Sequence, residues 1–502
     1  SADLEPSSSQ LLWIVDIYGF LVAGSLITMG TLGDRIGRRR LLLIGAVAFS
    51  TASVLAALST SAEMLIATRA LLGVAGATLM PSTLGLIRDI FVDPRQRAVG
   101  IGVWASVFSA GTAIGPLVGG LLLEHFWWGS VFLLGVPLMG VLLALGPVLL
   151  PEVRDPDAGR VDLTSAAMSL VGVLAVIYGL KQTAENGLDW LPALCIVAGL
   201  IIGVRFLVRQ RALADPLIDL RLFRLPAFSV SLTAETLALF AWVGTYLFVA
   251  QYLQLVVGLS PFRAGLWLLP ATGGSILGSM LAPLIVRRIR PASAISGALV
   301  IAAVGFGLLT QVDASSGLGL LVAGSVIFSV GVAPVVTLGT DMIVGAAPPE
   351  RAGAASAISE TGTELGLALG VAIIGSLGTA VYRSQVADAV PGGMPPDATA
   401  AARETLGGAV DVAHGLPDQI GAELLDVARG AFTEALQLAA ATSAAVAIGI
   451  AILSAVLLRP ARSGAEREPR PDQELDEGAA GSDHGDKLPG PVATAAGRPE
   501  RG

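Results

Sequence analysis

The sequence has one cysteine, Cys195, so no internal disulfide and no thiolate metal cage can form. Its histidines, His125, His414 and His484, all fall outside the long apolar runs, with no HExxH-type cluster beside them. A membrane-embedded metalloenzyme therefore lacks its ligands, and no metal or cofactor is expected. Lysine is confined to Lys181 and Lys487, and aromatics make up only 5% of residues. Charged residues reach 14%, where soluble domains carry about 25%. Apolar residues fill the space: 54% are hydrophobic and the mean hydropathy is +0.75. This excludes an ordinary soluble domain and points to an integral membrane protein embedded in a lipid bilayer. The net charge of −8 says nothing about nucleic acid, because the acids cluster outside the apolar runs. No nucleic-acid partner is expected.

Crossing ~30 Å of hydrocarbon takes about 20 apolar residues. Thirteen runs qualify: 11–31, 41–60, 63–87, 97–121, 131–150, 163–182, 190–208, 227–251, 263–286, 293–311, 317–344, 352–381 and 431–458. Arg35, Arg38, Arg39 and Arg40 follow the first run, and Arg88, Arg95 and Arg97 the third. Arg154 and Arg160 follow the fifth, Arg209, Arg211, Arg221 and Arg224 the seventh, and Arg287, Arg288 and Arg290 the ninth. Connections such as 122–130 and 252–262 carry almost none. Every second loop is basic, which assigns those loops and the C-terminus to the cytoplasm of a multi-pass plasma-membrane protein. Residues 1–10 then start outside. Segment 383–430 is small, polar, acidic and external, with 398–413 and 418–436 able to form short amphipathic helices. Residues 461–502, rich in Pro, Gly, Glu and Asp, read as a disordered cytoplasmic tail.

Two glycine patterns stand out. In GVWASVFSAGTAIGPLVGG, Gly102 is followed by Gly111, Gly115-Pro116 and Gly119-Gly120. Gly111, Gly115 and Gly119 recur every fourth residue, a smooth stripe against which a neighbouring backbone can press. Pro116 removes one helical hydrogen bond and bends the helix. GxxxG alone is ordinary packing; the full spacing is more specific. Between the first two runs lies Gly30-Thr-Leu-Gly33-Asp34-Arg35-Ile-Gly37-Arg38-Arg39-Arg40. Its glycines permit a tight helix–helix turn. Asp34 can pair with nearby arginines or sit at the positive N-terminus of a facing helix. Either contact would make a cytoplasmic latch.

Ionisable groups inside the runs are few. Arg69, in LIATRALLGVAGATLMPSTLGLI, would cost roughly 2.5–3.5 kcal/mol at the bilayer centre unless it faces protein or water. It can tie backbone carbonyls or hold a neighbouring carboxylate ionised. Glu360 and Glu364 stand one helical turn apart on a shared face. Burial and mutual repulsion oppose ionising both, which suits exchange of a proton for a cation. Glu235, the acid of the eighth run, is either a cation site or a residue facing a watery vestibule. Asp16, near the outer end of the first run, is either a proton-entry group or an interfacial acid bonded to backbone. Asp313 and Asp341 lie near run ends and read as interfacial. Tyr18, Trp104, Phe108, Trp242, Tyr246, Phe248 and Trp267 fall inside spans and could stack on flat lipophilic cations. Trp13, Trp127, Trp128 and Trp190 fit interfacial belts.

The 102–120 spacing resembles the antiporter signature of drug–proton antiporters in the major facilitator superfamily. Gly30–Arg40 is similar to that superfamily's G-x-L-x-D-R-x-G-R-R, and the R-x-L-x-G around Arg69 to a motif whose arginine is assigned to proton coupling. Glu360 and Glu364 are similar to the acidic pair in the thirteenth helix of 14-helix members, linked there to substrate recognition and protonation. The resemblance covers 11–458. It implies an all-α fold of two six-helix bundles, 11–150 and 227–458, with an additional pair at 163–208. The first run takes the place of the family's second helix, so 13 of 14 helices are present and a fragment lacking the first is expected. The implied function is a monomeric, proton-coupled antiporter exporting lipophilic cations (quaternary ammonium compounds, dyes, fluoroquinolones), not an enzyme. Export of an endogenous metabolite or antibiotic, and a non-transporting receptor or scaffold on this fold, are the alternatives.

Overall fold

Long apolar stretches with widely spaced breakers fold into successive helices in the computed structural model, which describes residues 8–153, 162–186, 189–213, 216–313, 317–387 and 396–458. The helices are α1 (Ser8–Ile36), α2 (Arg38–Ala57), α3 (Ala62–Ile90), α4 (Pro94–His125), α5 (Gly135–Leu149), α6 (Leu163–Asn186), α7 (Trp190–Ala212) and α8 (Pro226–Gln251). They continue with α9 (Pro261–Ile285), α10 (Pro291–Leu309), α11 (Gly317–Ala346), α12 (Ala352–Leu369), α13 (Gly375–Ala387), α14 (Pro396–Glu404), α15 (Leu406–Ala413) and α16 (Asp418–Leu457). A 3-10 segment, Trp128–Leu134, leads into α5. π-helical turns at Tyr252–Val256 and Gly370–Ile374 end α8 and join α12 to α13. Among the described residues, 12 helices are long and apolar enough to cross a membrane. The 32-residue α4 covers the remaining run.

Helix starts follow local chemistry. Ser61 accepts the Met64 N–H at 3.1 Å ahead of α3, and Asp93 accepts the Arg95 N–H at 2.6 Å ahead of α4. Proline opens α4, α8, α9 and α10, where its missing N–H is harmless. The Gly37 turn between α1 and α2 has φ 111°, a conformation that side-chain-bearing residues rarely adopt.

The helices form two groups. In the first, α3 packs on α1 and α2, and α2 on α5. In the second, α11 packs on α8, α9 and α10, while α16 packs on α8, α10 and α13. The groups meet where α1 and α3 touch α12 and where α4 touches α9 and α11. The α6–α7 hairpin lies against α1 and against the π-helical turn of α12. Its connection is fixed beside Asp162, which accepts from Ser165 Oγ at 2.7 Å and from Arg209 Nε at 2.9 Å. The Ser165 hydrogen bond, with the Arg209 charge beside it, holds the Asp162 carboxyl below the usual carboxylate range.

The last part of the chain departs from the sequence expectation. Residues 418–436 are not a separate short helix; they continue into the final span as one 40-residue helix, about 60 Å long at 1.5 Å per residue. The preceding span runs on through Ala387. Of the expected short helices only α14 and α15 are separate, and both pack into the second group's core through Ala402, Leu406 and Ala409. Tyr382 donates to the Ala402 carbonyl at 2.9 Å. Residues 388–395 of the expected external segment, the starting residues 1–7 and the expected tail at 461–502 lie outside the described residues.

Glycine sets the closest approaches. A Cβ on Gly305 would collide with the Phe328 backbone nitrogen, and one on Gly331 with that of Ala302, so α10 and α11 touch backbone to backbone. Phe306 and Phe328 stack beside this contact at 4.8 Å. Gly305→Leu is expected to cost about 1–3 kcal/mol through overpacking. A fall in the thermal midpoint of purified protein checks it. Gly307→Leu, where a Cβ meets nothing within 4 Å, is the near-neutral control.

Candidate functional site

At the arginine-rich end, the Gly30–Arg40 stretch fastens the two groups together. Asp34 at the end of α1 accepts the Gly353 and Ala354 N–H groups, each at 2.9 Å, and so occupies the N-terminus of α12. It also accepts from Arg38 Nε at 2.9 Å. Both partners foreseen for Asp34 are therefore used at once. Arg38, 1% exposed, also pairs with Asp89 and donates to the carbonyls of Gly85 at 3.1 Å and Pro349 at 2.6 Å. Gly30 lets α1 lie against Gly353 and Ala357 with no room for a side chain. Gly33 sits beside Leu41 and Ser82, while Gly37 forms the turn beside Glu152. Arg39 points away from the seam to the carbonyls of Leu150 and Pro147 at 2.9 and 3.2 Å. Arg35 closes the last turn of α1.

A second clasp was not legible in the sequence. Arg97 Nε of α4 donates to Asp341 Oδ1 of α11 at 2.6 Å, with side chains 11% and 15% exposed. Asp341, near a run end, is half of an ion pair between groups. Arg88 adds a bond to the Ala347 carbonyl at 2.8 Å. Asp34, Arg38, Arg88 and Arg97 all grip the one stretch 341–354.

Deeper in, three acids come together. Glu235 of α8 is 2% exposed and accepts from Thr340 Oγ1 on one carboxylate oxygen and from Ser359 Oγ on the other, each at 3.0 Å. This corrects the reading of Glu235 as a residue facing a watery vestibule: hydroxyls enclose it. Glu360 is buried and faces the charges of Glu235 and Glu364. Glu364, half-buried one turn along α12, acts electrostatically on Tyr18 of α1, over whose ring Arg69 lies at 5.7 Å. The Arg69 guanidinium also sits 5.9 Å from the Phe132 ring, within cation–π range. A line of ionisable groups thus runs from Arg69 through Tyr18, Glu364 and Glu360 to Glu235. The Asp16 side chain lies outside the described residues.

The aromatics divide. Trp242 stacks on Tyr246 at 5.1 Å and Trp104 on Phe108 at 5.9 Å, with Trp104 Nε1 donating to Thr83 at 3.3 Å. Trp267 is exposed. Phe248, expected among the cavity aromatics, is instead a core residue packed on Phe432 at 5.6 Å. Trp128, expected in an interfacial belt, is partly buried and packs with Phe132 against a buried cluster of α2 and α3.

The glycine stripe of α4 is also corrected. A Cβ on Gly111 or Gly115 would meet nothing within 4 Å, and one on Gly119 only Val131 at 3.9 Å. Among the described glycines of this stretch, close packing falls at Gly102, whose Cβ would lie 2.8 Å from the Ser279 carbonyl of α9. The side chain of Pro116 and the surroundings of Gly120 lie outside the described residues.

A bundle of apolar helices enclosing acids, with two helix groups clasped at one end, defines a multi-pass membrane carrier. The chain belongs to the Major Facilitator Superfamily, whose pattern matches residues 1–371. It is 43% identical over 457 residues to the multidrug efflux pump LfrA of Mycolicibacterium smegmatis, covering 91% of this chain and 90% of that one. It is 36% identical to the methyl viologen resistance protein SmvA of Salmonella typhimurium, covering 86% and 87%. The crystal structure of the human organic anion transporter MFSD10 (TETRAN) has the same fold, with a TM-score of 0.57 at 18% identity over 91% of this chain and 86% of that one. The chain is a transporter, not an enzyme.

Proposed function

We propose that this protein exports lipophilic cationic drugs across the plasma membrane in exchange for inward-moving protons. The two helix groups are the moving halves, working as a monomer, and the arginine-rich end with the C-terminus faces the cytoplasm. The observation that carries the reading is the line of half-buried Glu364 and buried Glu360 and Glu235 beside Tyr18. Carboxyls held in apolar surroundings exchange a proton for a cation because burial penalises uncompensated charge in either state. Half-buried Glu364, next to an aromatic ring, meets the cation, Arg69 adjusts the charge balance around it, and Asp16 serves as the proton-entry group. The stacked pairs Trp104–Phe108 and Trp242–Tyr246, with Trp267, offer flat apolar surfaces for quaternary ammonium compounds, dyes and fluoroquinolones. The relatives support drug export, since LfrA and SmvA are named for multidrug efflux and methyl viologen resistance. A second reading, export of an antibiotic, has a relative of its own: the tetracenomycin C resistance and export protein of Streptomyces glaucescens is 33% identical.

The test is ethidium movement in inverted vesicles carrying the full-length gene product. An imposed proton gradient is expected to drive dye accumulation, and Glu360→Gln with Glu364→Gln to abolish it. Dye movement indifferent to the gradient, or unchanged in the double variant, overturns the reading.

A further inference from the structure

Glu235 is linked to the cytoplasmic seal through both of its carboxylate oxygens. One oxygen holds Thr340 on α11, and the next residue, Asp341, is the one that Arg97 of α4 grips at 2.6 Å. The other holds Ser359 on α12, five residues beyond Ala354, whose N–H holds Asp34 of α1 at 2.9 Å. One buried carboxylate therefore clamps, from within the second half, the two helices that the first half clasps at the arginine-rich end. The packing leaves little slack: a Cβ on Gly339 would lie 3.4 Å from the Glu235 side chain, and Gly366 lies against the Thr236 backbone. The Thr363 hydroxyl of α12 also bonds the carboxylate, and the charged groups facing this clamp are Glu360 and, beyond it, Glu364 on α12, and Asp341 on α11 with its partner Arg97 from α4.

We propose that Glu235 is the positioning residue that couples proton uptake to opening of the cytoplasmic seal. The assignment rests on the proton-exchange reading and adds to it the group that turns protonation into movement. As an anion, Glu235 accepts both hydroxyls in charge-assisted hydrogen bonds, and α11 and α12 stay drawn together on α8. When the proton passes from Glu360 to Glu235, the O–H bond on Glu360 breaks and one on Glu235 forms. Glu360 is left ionised, ready for a cation. The neutral Glu235 carboxyl now has one oxygen committed as a donor and holds the two hydroxyls only weakly, so Thr340 and Ser359 are released. Asp341 and the N-terminus of α12 then lose their backing and the seal opens inward. Loss of the proton to the cytoplasm, as the drug cation enters, restores the clamp and closes the seal behind it.

The experiment follows the seal without drug and without a gradient. In the full-length protein carrying Cys195→Ala and Ser356→Cys, a buried position just inside the seal, the rate of labelling by a thiol reagent is measured against pH. In the parent, labelling is expected to rise as pH falls. Glu235→Gln, a permanently neutral clamp, is expected to label about tenfold faster, matching the loss of a charge-assisted bond, and with the pH dependence removed. Ser359→Ala is expected to label faster but keep the pH dependence, because the acid remains. Ser443→Cys, buried in the second half's core, must stay unreactive in Glu235→Gln. Labelling of Glu235→Gln at the parent's rate and pH profile overturns the assignment, as does a parallel gain at Ser443→Cys. If labelling responds as expected while ethidium does not follow the proton gradient, the transport reading fails and the clamp stands.

Discussion

Replacing Arg38 by alanine is expected to destabilise the protein by about 3–5 kcal/mol, the largest loss anticipated for any single substitution at the arginine-rich end. Arg38 is 1% exposed and serves Asp34 and Asp89, whose side chains are 6% and 4% exposed. Removing the guanidinium leaves the Asp89 carboxylate buried without the cation it pairs with and leaves Asp34 held by the Gly353 and Ala354 amides alone, and it frees the carbonyls of Gly85 and Pro349 that it bonds at 3.1 and 2.6 Å. The loss reflects that stranded charge more than the bonds themselves. Arg38→Lys keeps a cation but not the planar fork that reaches several acceptors at once, so it is expected to recover only part of the loss. Adding Asp89→Asn to Arg38→Ala removes one stranded charge and is expected to return some stability. Thermal midpoints of the three variants check the series. A midpoint for Arg38→Ala equal to the parent's would show that the network contributes no net stability.

How much of this was legible in the sequence depends on how local each interaction is. The Gly30–Arg40 stretch could be read as a turn and a latch because its glycines and arginines lie within one helix–helix connection. Both alternatives for Asp34 proved real, since its carboxylate has an oxygen for each of the Gly353 and Ala354 amides and still accepts from Arg38. The acids Glu235, Glu360 and Glu364 were visible because charge is rare in apolar runs. That Glu235 is enclosed by Thr340 and Ser359 was not, because hydroxyls are common in these helices and carry no periodic signal. The pairing of Asp341 with Arg97 was not legible either, because the two lie 244 residues apart. The glycines of α4 differ from the expectation for a related reason. A smooth face permits close packing, but the partner's path decides where it happens, and among the described glycines of the stretch α9 presses against Gly102. The continuity of α16 and the π-helical turns in α8 and α12 depend on tertiary packing that local propensity does not encode.

Reversing the charge of Arg97 is expected to open the second clasp and lower ethidium efflux at least about tenfold, the effect of losing roughly 1.4 kcal/mol of closure energy. The pair is short, at 2.6 Å, and both side chains are mostly shielded from water, at 11% and 15% exposure. Its attraction is therefore screened less by salt than that of a surface bridge. Arg97→Asp sets two carboxylates face to face across the seam and drives α4 away from α11. The reversed pair, Arg97→Asp with Asp341→Arg, restores the attraction with the donor on the other helix. If the bridge acts by holding the halves together, the double variant recovers efflux and the protection of Ser356→Cys, and the gain exceeds the sum of the single effects. Gly345 bears on the outcome, because a Cβ there would lie 2.8 Å from the Arg97 guanidinium. A side chain at Gly345 would crowd that guanidinium, so Gly345→Val is expected to mimic loss of the clasp while leaving both charges in place. Double-variant efflux no better than that of Arg97→Asp alone would mean that the cation must sit on α4. The clasp would then work through the arginine's fixed position beside Gly345 rather than through attraction between the halves.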